Sequence, residues 1–138
     1  NSWVTVGNPG FSAGPVQYTS LAIASDGTPY VAYQDSGNSG EATVMKFDGV
    51  NWVNVGSPDF SAGGADYTSL AINSSGMPYV AYTDGGNSHQ ATVMKFDGTN
   101  WVTVGNPGFS EGFVFSMSLA ISPNGTLYVA YQDGGNSY

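Results

Sequence analysis

The chain has 138 residues, 41% hydrophobic and 14% aromatic, enough for a folded domain with its own core. Only 9% are charged, and ten acids against two lysines, with no arginine, give a net charge of −8. That balance excludes nucleic acid and anionic membranes as partners, because two lysines build no basic patch. With no cysteine, disulfides, thiol nucleophiles and thiolate metal sites are excluded too.

In chain order the first predicted element is the strand Trp3 to Val6, W-V-T-V, followed by a loop through Asn8-Pro9-Gly10-Phe11-Ser12. A second loop, Gly14-Pro15-Val16-Gln17-Tyr18, leads into a hairpin. Its first strand carries Leu21 and Ile23, its turn is Asp26-Gly27, and its second strand is Tyr30-Val31-Ala32-Tyr33. Aspartate-glycine between apolar runs signals a hairpin, because both residues tolerate the positive φ that a twisted turn needs. After the loop Asp35-Ser36-Gly37-Asn38-Ser39, a third strand runs from Ala42 to Phe47. Alternation puts Met45 and Phe47 on one face of it and Lys46 on the other. The turn Asp48-Gly49 then enters the next tryptophan strand, at Trp52.

The whole pattern returns every 49 residues: Trp3, Trp52 and Trp101 keep this spacing, as do Phe11, Phe60 and Phe109, and Leu21, Leu70 and Leu119. The repeats are 1–49, 50–98 and 99–138, the last truncated before its third strand. Nothing in the period reads as a helix. Four antiparallel strands per period make a β-propeller blade, so the predicted fold is an all-β propeller with about three blades per chain. In this phase the Trp3 strand is the outermost strand of a blade begun elsewhere. Propellers have roughly four to eight blades, and a three-bladed arc exposes two edges and two apolar faces. Self-association is therefore predicted, with a homodimer favoured and a trimer as the alternative. The rival expectation is an arc of a longer propeller or an engineered repeat protein.

The segments D-G-T-P-Y-V-A-Y-Q-D, ending at Asp35, and N-G-T-L-Y-V-A-Y-Q-D, ending at Asp133, are each followed by a glycine-asparagine turn. In this they resemble β-propeller repeat families, among them the NHL type and bacterial secreted propellers. The resemblance implies architecture but no functional residues; a secreted or cell-surface setting is expected instead from the acidic, lysine-poor composition. Ser25-Asp26-Gly27-Thr28 echoes half of the sialidase aspartate box and lacks its spacing and closing tryptophan.

Catalysis is poorly supplied. A sialidase needs an arginine cluster, and copper or zinc catalysis needs several histidines. The chain has no arginine, and its lone histidine, His89, falls in a predicted loop. A serine nucleophile needs an oriented base. A glycoside hydrolase remains a distant alternative, because the repeat-equivalent Asp35, Asp84 and Asp133 should have like environments, whereas acid and base roles need pKa values pushed apart. The expectation is a non-enzymatic binding module.

Two loop sets are the candidate binding surface. One holds Asp35 and Asn38, Asp84 and Asn87, and Asp133 and Asn136; the other holds Tyr18, Tyr67 and Phe115, beside Phe113. In an up-and-down blade both sets emerge at the same end of the strands. Asp and Asn also cap their own turns, and one acid per loop is thin for calcium, so no cofactor is implied. Aromatic faces beside polar side chains form a platform for a carbohydrate. A lectin-like binder is the sharpest functional expectation, and a ligand-free structural propeller is the alternative. The tryptophans are expected to pack between blades.

Overall fold

Each predicted hairpin forms, and the turn chemistry explains why. In the computed structural model, which describes residues 1–136, Gly27 takes φ 89° and the Asp26 carboxylate accepts from the Thr28 N–H at 2.9 Å. At the next turn Gly49 takes φ 103°, and Asp48 accepts from the N–H groups of Val50 and Asn51. Ser137 and Tyr138, the end of the third loop and the counterpart of His89, lie outside the described residues.

The strands are all antiparallel. β1 (Val16–Ile23), β2 (Pro29–Asp35), β3 (Glu41–Phe47) and β4 (Trp52–Asn54) form one sheet in that order. β5 (Ala65–Ile72), β6 (Pro78–Asp84), β7 (Gln90–Phe96) and β8 (Trp101–Thr103) form a second sheet in the same order. β9 (Val114–Ile121) and β10 (Leu127–Asp133) form a third, two-stranded one. The fold is all-β, with a single 3₁₀ turn at Gly85–Asn87 among the described residues.

Two expectations are corrected. Trp3 to Val6 forms no strand, and Trp3 is fully exposed. Its counterparts at Trp52 and Trp101 are strands because β3 and β7 lie beside them, through the pairs Phe47–Trp52 and Phe96–Trp101. Among the described residues the segment at Trp3 has no such neighbour. Second, Val16 to Tyr18, read above as loop, belongs to β1, and Ala65 to Tyr67 belongs to β5. Pairing breaks register between Gln17 and Ser20 and between Asp66 and Ser69. Such a bulge carries a residue off the ladder, and here it is a tyrosine.

The sheets stand side by side through their first strands, β1 against β5 and β5 against β9. The core lies at these seams. Tyr30, Ala32 and Val44 of the first sheet cluster with Leu70, Val80 and Tyr82 of the second; Ala81 and Val93 cluster with Leu119 of the third. Each seam also carries a hydrogen bond offset by one residue from the repeat. The Leu70 N–H donates to the Ser20 hydroxyl at 3.0 Å, and the Leu119 N–H to the Ser69 hydroxyl at 2.9 Å. At the outer edge Trp52 and Trp101 pack as expected, whereas the exposed Trp3 does not. Trp52 stacks on Phe11 and donates to the Val6 carbonyl, and Trp101 stacks on Phe60 and donates to the Val55 carbonyl.

Candidate functional site

The two loop sets do meet at one end of the strands. The Ser36 N–H donates to the Pro15 carbonyl, Gly85 to Gly64, and Gly134 to Phe113, at 2.8 to 2.9 Å. The approach is close enough that Gly63 lies against the backbone of Gly86, where a Cβ would stand 2.6 Å from the Gly86 nitrogen.

Within the loops the aspartates turn inward. Asp35 and Asp84 are buried, although both are polar loop-entry residues. Asp35 accepts from the Gly37 N–H at 2.9 Å. Asp84 accepts from the Gly86 N–H, the Asn87 side-chain amide and the Thr92 hydroxyl, all within 2.9 Å. Asp133 accepts from the N–H groups of Gly135 and Gly112. These carboxylates hold the loop and join it to its neighbour. Asn38 and Asn136 are exposed at the rim, and Asn87 is half-buried against Asp84.

The aromatic set is placed differently. Tyr18 and Tyr67 sit on the bulges of β1 and β5 with φ 49° and 52°, a region non-glycine residues seldom occupy. Their rings are 4.7 Å apart and tilted by 48°, and more than a third of Tyr18 faces solvent. Beside them the Gln34 amide donates to the Asp66 carboxylate at 2.6 Å, across the seam. Local burial, reinforced by the negative charge of Asp66 and by Tyr67, raises the Tyr18 hydroxyl pKa above its ordinary value. At these pairs the ring faces, a hydroxyl and an acid–amide pair converge on one surface. In the third repeat the bulge position is Ser116, and Phe115 instead meets Phe113 edge-on at 5.6 Å. The structure thus brings Tyr18 and Tyr67 together and leaves Phe115 as part of a separate aromatic pair.

Behind the first loop a cleft of about 190 Å³ is lined by Phe11, Tyr33, Asp35, Asn38 and Asp59, among others. The Tyr33 hydroxyl there donates to the Met45 sulfur at 3.2 Å, and burial, followed by the charges of Asp35 and Asp59, pushes its pKa up to about 12. A groove at the opposite end of the strands was not anticipated. It measures about 300 Å³ and is lined by Tyr30, Lys46, Met77, Phe96 and Asp97. These residues come from β2 and β3 of the first sheet and from β7 and two turns of the second repeat, so no short motif announces it. His89 lies exposed in its loop, and its carbonyl accepts from the Val114 N–H at 3.0 Å.

No protein-family model matches the chain, and no curated protein is similar to it in sequence. Among solved structures it is similar to a fucose lectin from Kordia zhangzhouensis, solved in complex with methyl-fucoside. The TM-score is 0.54 at 12% identity, over 82% of this chain and 81% of that one. At that identity the likeness is one of fold.

Proposed function

We propose that the chain is a non-enzymatic, lectin-like carbohydrate-binding module of β-propeller type, acting outside the cell, in which the arc of repeats is completed by self-association. One observation carries the binding reading: two tyrosines of successive repeats are held at positive φ on equivalent bulges. Each such non-glycine residue costs on the order of 1 kcal/mol of backbone strain, and strained positions cluster at ligand sites. The strain lifts both rings off the ladder onto one surface, beside the Gln34–Asp66 pair. A pyranose has an apolar face for the rings and hydroxyls for the acid and amide, so the ligand class follows from the chemistry. The fold-level likeness to a fucose lectin supports the reading without assigning a sugar.

The test is a glycan array followed by calorimetric titration of the best ligand. Tyr67→Ala and Tyr18→Ala should each weaken binding by about tenfold or more, with far-UV circular dichroism unchanged. An array without hits, together with melting unmoved by added sugars, would overturn the reading. The inward-turned Asp35 and Asp84 favour the second reading, a ligand-free structural propeller, and that result would select it.

A further inference from the structure

The ends of the arc are two halves of one interface that already exists twice inside the chain. At the internal seams, Leu70 and Leu119 are 6% and 7% exposed, whereas their counterpart Leu21, with no preceding sheet, is 66% exposed. Ile23 next to it is 58% exposed, whereas Ile72 and Ile121 are half-buried. On the opposite face the order reverses. Tyr30 is 9% exposed and Tyr79 half-buried against the following sheet, but Tyr128, with none following, is 62% exposed. Ala130 is likewise exposed where Ala32 and Ala81 are fully buried. The polar contacts follow suit. Ser20 and Ser69 each accept the next sheet's leucine N–H, while among the described residues no further sheet offers such a leucine to Ser118 on β9.

We infer that these two faces dock on each other between copies of this chain, head to tail: Leu21 and Ile23 of one copy pack on Ala120, Tyr128 and Ala130 of another, and the Leu21 N–H donates to the Ser118 hydroxyl. The occupant is a second copy because the surface each face fits is the one the other end presents. The internal seams supply the template residue for residue. Exposed Ser116, Ser118, Ala130 and Gln132, with Met117 and Tyr131, line an open groove of about 380 Å³ along β9 and β10, where the incoming β1 would lie. Where the first internal seam pairs Gln34 with Asp66, the matching positions of the proposed seam are Gln132 and Gln17, both neutral; each copy carries a net charge of −8, so added salt should strengthen the association by screening. The two faces differ, so the contact is heterologous and closes only as a ring. This inference rests on the self-association in the functional proposal and is independent of any sugar.

The test is mass by light scattering on the 138-residue chain, without sugar, over a range of concentration and salt, with Leu21→Asp and Tyr128→Asp as variants. Both residues are exposed in the single chain, so the variants should keep the wild-type circular dichroism and melt cooperatively. Ile23→Asp replaces Leu21→Asp if the latter does not fold. The wild type should run at about twice 14.3 kDa, and three times would support the same seam. Each variant alone should run as a single chain, because every seam then contains the substitution. Mixed in equal amounts they should form a pair, since one seam joins an intact Leu21 to an intact Tyr128. A wild type that stays a single chain at all concentrations would overturn the inference. So would variants that keep the wild-type mass, or Tyr128→Asp assembling alone. Assembly without glycan binding would sink only the lectin reading, and glycan binding by a single chain only this one.

Discussion

The indole of Trp101 lies flat on the ring of Phe60, at 4.1 Å and 10°, while its N–H donates 2.8 Å to the Val55 carbonyl. The two residues belong to different repeats, so the contact ties the second sheet to the connection leaving the first. Trp101→Ala should cost about 3 kcal/mol in chemical denaturation, from lost packing and an orphaned carbonyl. Trp101→Phe should recover most of the packing and lose about 1 kcal/mol for the hydrogen bond. Trp3→Ala, at a fully exposed position, should leave the stability of the single chain unchanged. Equal losses for Trp3 and Trp101 would show that the stacking is not what joins the sheets.

The glycine contacts at the loop end give a sharper contrast. Gly63→Ala drives a Cβ into the backbone of Gly86, and neither chain segment has a flexible side chain to yield. A loss of about 2–3 kcal/mol is expected, in the range of overpacking. Gly76→Ala meets open space and carries only the penalty of φ +82°, about 1–2 kcal/mol. Melting of the two variants side by side checks the order.

Asp84 and Asp35 should differ although they are repeat equivalents. Asp84 accepts from three groups where Asp35 accepts from the Gly37 N–H, because both the Asn87 amide and the Thr92 hydroxyl turn to Asp84. In the first sheet the matching Thr43 donates to Asp59 instead, where the following repeat has Gly108. Asp84→Ala should therefore cost about 2–4 kcal/mol and Asp35→Ala about half as much. Equal losses in urea titrations would mean that the extra Asn87 and Thr92 contacts are not felt.

Alkaline unfolding has a definite sign. Burial, and then nearby aspartates, raise the hydroxyl pKa of Tyr33 to about 12 and that of Tyr82 in the same direction. A tyrosine in the unfolded chain titrates near 10, so above that pH the unfolded state loses protons that the folded state keeps. The contribution to stability is complete below pH 10 and falls as pH rises through 12, by roughly 2 kcal/mol for Tyr33. Tyr33→Phe should flatten the profile between pH 10 and 12. A slope unchanged in both Tyr33→Phe and Tyr82→Phe would place the alkaline transition elsewhere.

The period of 49 residues and the turn residues made most of the architecture legible from sequence. Each Asp-Gly or Ser-Gly turn had one plausible geometry, and every core position could be compared with two copies of itself. What escaped was whatever depends on neighbours. Tyr18 and Tyr67 were recognised as candidates, but their positive φ was invisible, because no local signal marks a bulge inside Q-Y-T-S or D-Y-T-S. The inward rotation of Asp35 and Asp84 was foreseeable as turn capping, though their burial depends on the adjoining Gly14 and Gly63 loops. The Trp3 segment reads as the outermost strand of a blade begun elsewhere, and it forms no strand here because, among the described residues, no third strand lies beside it as β3 and β7 lie beside Trp52 and Trp101.

Within each sheet every strand pairs with the next one along the chain. Contacts between sheets join residues about one repeat apart, as in Ser20 to Leu70. No segment must wait for a distant one, so loop-closure entropy stays small at each step and folding can spread sheet by sheet from any starting hairpin. In the single chain unfolding should run in reverse from the two-stranded β9–β10 end, where hydrogen exchange will be fastest and the chain first open to proteases.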